Sequence, residues 1–168
     1  MGGVISSFKF EGYKIDRITY ESIPEVKFLQ TMGTLDPSGW NINIGFREPL
    51  YIKSLKQYVG GMDIALTYPI PEQISPSELK PEDESPLKKT LVKLDIGIAG
   101  IFAVEENRLE KNTEETLVKI QVPMILFPYL RAAITSLFAH IGLGSFLFPL
   151  INIHELAKNA NLIIREVD

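Results

Sequence analysis

The chain has 168 residues, 45% of them hydrophobic and 23% charged, enough apolar material for one domain with its own core and too much for a disordered chain. A net charge of −4 and a pI near 5.3, without a Lys/Arg cluster, exclude a protein built to grip the phosphate backbone of a nucleic acid. The lack of cysteine excludes a disulfide framework and a thiolate metal site, and the expected compartment is the cytoplasm.

The opening MGGVISSFKF has no basic segment leading into a long apolar run, so no secretory signal is expected. Gly2 and Ser6 fit the loose myristoylation pattern, which chance or a flexible start explains. Four stretches then alternate with the two-residue period of half-buried strands. In FKFEGYKIDRITYE the pairs Phe8/Phe10, Tyr13/Ile15 and Ile18/Tyr20 share a face only if the phase slips near Gly12 and Asp16, which predicts two bulges. WNINIGF places Trp40, Ile42, Ile44 and Phe46 on one side, and YVGGMDIALTY does the same with Met62, Ile64, Leu66 and Tyr68. LVKLDIGIAGIFAVE aligns Val92, Leu94, Ile96 and Ile98 before an expected phase change at Gly100. The pattern is that of an antiparallel sheet with one covered face.

Two connections stand out. Residues 24–38 carry Val26, Phe28, Leu29, Met32 and Leu35, too apolar for a solvated linker, so this loop must lie on something. Residues 69–86, rich in proline and acids, read as a flexible, solvated excursion.

After the sheet, Thr113 and Glu114 are placed to open a helix running toward Pro123, and VPMILFPYLRAAITSLFAHIG continues it. Phe127, Leu130, Ile134, Leu137, Phe138 and Ile141 form one stripe, while Ala132, Ser136 and Ala139 lie opposite. The large stripe covers the sheet. The small face lacks the Lys and Glu of a solvated helix, so a copy of the same helix is expected to cover it, making Ala132, Ser136 and Ala139 an oligomer interface. Residues 132–153 are uncharged and long enough to cross a bilayer. Gly142, Gly144 and Pro149 interrupt them, and irregular backbone in lipid leaves peptide groups unpaired, so no membrane insertion is expected. In NIHELAKNANLIIREV, Asn152 and Glu155 make an Asn variant of the capping box, and Ile153, Leu156, Ala157, Ala160, Ile163 and Ile164 share the face of a short last helix. The predicted fold is α+β: one domain over residues 1–168, a four-stranded antiparallel sheet, one long helix and a short C-terminal helix.

Catalytic chemistry is not visible. His140 and His154 are the only histidines, so no zinc cluster forms, and His140 is expected to be a hydrogen-bonded residue of a buried helix. GIAG and GLGS lack the strand-to-helix context of a phosphate loop. The pairs Glu105/Glu106 and Glu114/Glu115 sit in charged stretches where solvation is their expected role. The chain is read as a non-enzyme without cofactor or metal.

ILFPYLRAAITSLFAHIG, followed by FPLIN and a short helix, resembles the SecB export-chaperone family, whose main helix opens with ILFPYxR before a loop and a second short helix. AGIFAVE resembles the end of that family's last strand and DRITYESIP its first strand, and the loop from Phe28 to Trp40 stands at the family's crossover loop. The resemblance implies a homotetramer, a dimer of dimers packed through the long helices, that holds unfolded preproteins in apolar grooves without ATP. The matching client-binding positions are Phe28, Leu29, Met32, Leu35 and Trp40, with Phe146, Phe148, Leu150, Ile153, Leu156 and Ile163. For each of them ordinary core packing competes with this role.

The family also offers an acidic patch to the secretion motor ATPase, to which Glu21 and Asp95 correspond. Arg17 stands where the family pattern has an aspartate, the chain ends soon after the second helix, and the loop at 69–86 has no counterpart. A general export chaperone is the leading reading. These departures favour a SecB-like chaperone dedicated to one client, such as an antitoxin, as the alternative. A further alternative is an apolar small-ligand or lipid-binding protein using the same grooves. The uncharged helix face predicts an oligomer by light scattering at micromolar concentration, and a monomer there would contradict it.

Overall fold

The structure, a computed structural model, describes residues 8–24, 35–70, 90–105, 110–144 and 146–168. The myristoylation pattern at Gly2 and Ser6, the loop residues Phe28, Leu29 and Met32, and residues 71–86 of the acidic loop lie outside the described residues. Strands β1 (Phe8–Ser22), β2 (Asn41–Ile52), β3 (Gln57–Pro69) and β4 (Thr90–Val104) precede helices α1 (Lys111–His140) and α2 (Ile153–Asn159), and β5 (Arg165–Val167) follows. The sheet order is β1-β4-β3-β2-β5. The first four strands pair antiparallel, as expected.

The fifth strand corrects the sequence reading. β5 pairs parallel to β2, so the sheet is five-stranded and mixed. The apolar spacing places its residues in the last helix, but Asn161 takes a left-handed φ of 49°, a conformation that ends helices. Ile163 and Ile164 therefore belong to an extended segment. The start of α2 follows the expected cap, with Asn152 Oδ1 accepting from the Glu155 N–H at 3.1 Å.

β1 keeps one face through two register shifts, at Phe10/Gly12 and Ile15/Arg17. Glu11 and Asp16 are the extra residues. Cross-strand pairing consequently sets Phe10 beside Phe102, Ile15 beside Ile98, Ile18 beside Ile96 and Tyr20 beside Leu94 on the helix side. β4, by contrast, shows no phase change at Gly100: it stays in register with β3 from Leu94 through Phe102. The exposed Ile101 hid this alternation in the sequence.

α1 is continuous over 30 residues through Pro123 and Pro128. It begins at Lys111, two residues before the expected Thr113, and Glu110 at its N-cap makes no side-chain bond. The helix ends as the glycines imply. Gly142 has φ 82°, and the Leu143 N–H bonds back to the Phe138 carbonyl at 2.9 Å, a Schellman-type closure. Val118, Val122, Leu126, Leu130, Ile134 and Phe138 are buried on the sheet against Met62, Ile64, Leu66, Leu94, Ile96 and Ile98. α1 is the one described helix long and apolar enough to cross a bilayer by length and composition.

Close approach of the helix depends on two paired glycines. Gly60 and Gly100 face each other across β3 and β4, and a Cβ there would lie 2.5 Å from Val122 Cγ1 and 2.6 Å from Leu126 Cδ2. Val122 is β-branched and stiff in a helix, so it cannot rotate away. Gly60→Ala is expected to cost about 1–3 kcal/mol by overpacking. Urea denaturation should detect this loss, and Val122→Ala in the same chain should recover much of it.

Candidate functional site

The positions expected to bind client, those of them that lie among the described residues, fall into two groups. The first is a ring cluster between the loop before β2, the far flank of α1 and the segment after it. Asp36 Oδ1 accepts from the Ser38 N–H at 2.9 Å, fixing a short 3-10 turn, Pro37–Gly39, that delivers Trp40. Gly39 lies against the Tyr68 ring, where a Cβ would come within 2.7 Å. Trp40 then meets Tyr68 at 5.1 Å, Phe138 at 5.2 Å and Phe146 at 5.2 Å between ring centroids. Phe146 continues edge-on to Phe148 at 5.7 Å, and Phe148 to Phe127 at 5.6 Å. These separations are those of favourable edge-to-face and tilted pairs.

The rings fill their own space. The crevice among Leu35, Pro37, Trp40, Phe138, Leu143, Phe146 and Leu147 holds about 20 Å³, room for little more than one water. Phe146, Phe148 and Ile153 are buried, and Leu35 and Trp40 are half-buried. The second group is open to solvent: Leu150 is 96% exposed, Ile163 64% and Leu156 42%. Leu147, between two buried phenylalanines, is 82% exposed. Sequence reasoning omitted Leu147 from the site along with Tyr68, Phe127 and Phe138. For Leu147 the signal was there in the FLF alternation, which sends its middle residue outward.

The outer face of the sheet carries the two motor-binding candidates. Asp95 pairs with Lys93 at 3.4 Å, and Glu21 stands opposite Lys93 in the β1–β4 register. Nearby lies a network that the sequence did not reveal. Arg47 of β2 donates through Nε and Nη2 to Asp63 of β3 at 2.9 and 2.6 Å, and reaches past β4 to both carboxylate oxygens of Asp16 in the second β1 bulge. Arg17 adds a 3.0 Å bond to Asp63. The guanidinium lies flat because Gly97 leaves room, where a Cβ would overlap both Arg47 and Asp63. The result is a face of paired charges, Arg17 included.

The small face of α1 is uncovered in the single chain. Ala132, Ser136 and Ala139 are all exposed. His140 is exposed too, contrary to the buried helix position expected of it, because the apolar stripe passes through Ile134 and Phe138 instead. It is nonetheless hydrogen-bonded, its Nδ1 lying 2.6 Å from the Ser136 carbonyl. Glu114 differs from its expected solvated role: it is half-buried and accepts the Tyr58 hydroxyl. Burial, with that carboxylate beside it, pushes the Tyr58 hydroxyl well above the usual phenol range. Among the described residues no group of three His, Asp or Glu side chains is placed to hold a metal ion.

Family comparison fits this geometry. The family described as preprotein translocase subunit SecB matches residues 69–161, more than half of the chain. The chain belongs to the SecB family. The matched span holds β4, α1 and α2, so the aromatic segment after α1 falls within it and Trp40 does not. A solved SecB-like chaperone, Rv1957 of Mycobacterium tuberculosis in complex with a ChAD peptide from the Rv1956 HigA1 antitoxin, superposes with a TM-score of 0.58 at 9% identity. The match covers 86% of this chain and 91% of that one. A protein of unknown function from Streptococcus agalactiae matches with a TM-score of 0.35 at 10% identity, covering 86% of this chain and 97% of that one. No curated protein sequence matches.

The Arg47 bonds hold the Asp16 carboxyl below its ordinary value of 3.8. A lowered folded-state pKa contributes stability that is complete above the unfolded value and lost as pH falls through the folded one. Arg47→Met should therefore destabilise the protein by about 1 kcal/mol near neutrality, less than a buried charge-assisted bond because Asp16 is exposed and screened by solvent. Urea midpoints of mutant and native protein should draw together as pH drops below 3.8.

Proposed function

We propose that this SecB-family protein is an ATP-independent holding chaperone that binds non-native polypeptide on the apolar surface beside its ring cluster. The observation that carries this reading is the exposure of Leu147 and Leu150 on the segment that also carries the buried rings of Phe146 and Phe148, with Leu156 and Ile163 exposed further along the chain. Leu147 and Leu150 stand three residues apart on a segment whose phenylalanines are buried, an exposure that a partner can use. The rings give the segment a rigid base. The leucines offer contact area without demanding a defined partner sequence.

Each client side chain buried there gains roughly 25 cal/mol per Å² of apolar area, less the entropy of ordering the client, so many weak contacts add to a useful affinity without fixing a register. Selection is then kinetic, because chains that bury their own apolar residues quickly escape capture. Phe28, Leu29 and Met32 from the crossover loop extend this surface in the proposal, and Ala132, Ser136 and Ala139 pair α1 with its copies in a cytoplasmic tetramer, a dimer of dimers.

Two client ranges fit. Preproteins kept competent for export require handover to the secretion motor, for which Glu21 and Asp95 are the candidate contacts. The charge pairing of Asp16, Asp63 and Asp95 with Arg47, Arg17 and Lys93 weakens the field such a patch would need, and it favours a single dedicated client. The antitoxin peptide held by the mycobacterial chaperone supplies a client class of that kind. Binding to a panel of unrelated unfolded proteins separates the two, since a dedicated chaperone retains one and ignores the rest.

Equimolar protein should suppress aggregation of a diluted, denatured client without nucleotide. Leu147→Ser with Leu150→Ser should weaken client binding at least tenfold, at about 1.5 kcal/mol per leucine, while the urea midpoint stays within error because both side chains lie in solvent. Undiminished suppression by the double variant would exclude this surface.

A further inference from the structure

β2 lies at the margin of the antiparallel sheet, and β5 covers only Leu50, Tyr51 and Ile52 of its 12 residues. One further backbone bond, from the Lys53 N–H to the Val167 carbonyl at 3.0 Å, closes the contact. All three β5 side chains are exposed, and Val167, 39% exposed, is the one apolar side chain, so apolar burial adds little to hold the strand. What holds it is charge at the surface: Arg165 with Glu48, and Glu166 with Lys53 at 3.1 Å and Lys111 at 3.9 Å. Exposed ion pairs of this kind are weak and screened by salt.

The segment leading to β5 also packs loosely over α1. A crevice of about 370 Å³ opens between Tyr51, Tyr58, Glu114, Ile163 and Ile164, and one of about 310 Å³ lies under Asn161 and Leu162 beside Thr116 and Ile120. Upstream along β2, from Asn41 to Phe46, no described strand pairs with the outer edge. Its helix-side row of Ile42, Ile44 and Phe46 is only half-buried and leads to Trp40.

We propose that β5 is a displaceable strand occupying, from within, the β2 edge on which an extended client segment pairs. The proposal rests on the chaperone reading above and names how the client backbone is held. An unpaired edge is a template for an added strand. β5 displays the pattern that the edge accepts: a basic residue toward Glu48, an acidic one toward Lys53 and Lys111, then a β-branched residue. A client strand running further along β2 makes more backbone bonds than β5 does and covers Ile42, Ile44 and Phe46. Because β5 is tethered, it competes at a high effective concentration. Short or already folded segments lose that competition, and long extended apolar ones win it.

The chain has no cysteine, so Leu50→Cys with Arg165→Cys, at directly paired positions, gives a reversible lock. The probe is a fluorescein-labelled, reduced and alkylated disulfide-rich domain, which cannot refold. The oxidised lock should bind it at least tenfold more weakly than the same protein after reduction. Glu166→Lys should bind it several-fold more tightly than the native chain. In hydrogen exchange the Lys53 amide should open at least a hundredfold faster than those of Ile64 and Ile96, at the centre of the sheet. Equal binding by oxidised and reduced forms, with the native chain binding normally, overturns the proposal alone, and so does equal protection of Lys53 and Ile64. Failure of the native chain to bind this probe and every member of a panel of unfolded segments, an antitoxin-type extended peptide among them, overturns the chaperone reading and this proposal with it.

Discussion

The molecule is organised around the seat of α1 on the Gly60–Gly100 pair. With no side chains at that spot, Val122 and Leu126 come down onto the strands themselves, and the branched rows of β3 and β4 close over the helix on either side. A helix seated over the two middle strands leaves both margins of the sheet under-covered. On the β1 side Tyr129 reaches out to Tyr13 at 4.5 Å and Phe10 at 5.5 Å, yet Tyr13 and Ile18 remain about half exposed. On the β2 side the rings of Trp40 and Phe146 fill in where the helix does not reach. The exposed apolar surface at both margins follows from that central placement.

Gly60 has a neighbour of opposite duty. Gly61 points to the other face, where it lies against the stem of Arg47 and, with Gly97, clears the path of the guanidinium toward Asp16. The dipeptide thus serves the helix on one side and an ion network on the other. Arg47 ties β2, β3 and β1 together by charge-assisted bonds, while the apolar helix is seated from above on β3 and β4. Any partner approaching the outer face meets carboxylates already engaged, so a basic partner would have to displace a fixed guanidinium.

Much of the architecture could be read from the chain because period and burial coincide. The rows of β2, β3 and β1, both bulges, the large stripe of α1 and the Asn152 cap all rest on local pattern. The failures have local causes too. Ile101, apolar but outward, concealed the true phase of β4. The β-branched Ile163 and Ile164 fitted a helical face as well as an extended one, and only the left-handed Asn161 decides between them. β5 itself depends on a vacant edge 115 residues earlier, as Arg165 pairs with Leu50, which no local period reveals. The aromatic cluster beside the candidate site was legible as a set of residue types, Trp40, Phe146 and Phe148 among them. Their division into buried rings and exposed leucines was not, because it depends on how three separate segments meet. The Arg47 network was invisible for the same reason.

The paired bulges of β1 carry a consequence for how this strand can vary. Side chains along a strand change sides at every step, so one inserted residue exchanges inside and outside for all that follow. Glu11 makes that exchange and Asp16 reverses it, leaving Tyr20 on the same side as Phe8. Loss of either one alone would turn a run of charged side chains onto the helix and Phe or Ile to water, whereas loss of both would preserve the layout and shorten the strand. Parity, more than residue identity, is what natural variants of this segment have to conserve.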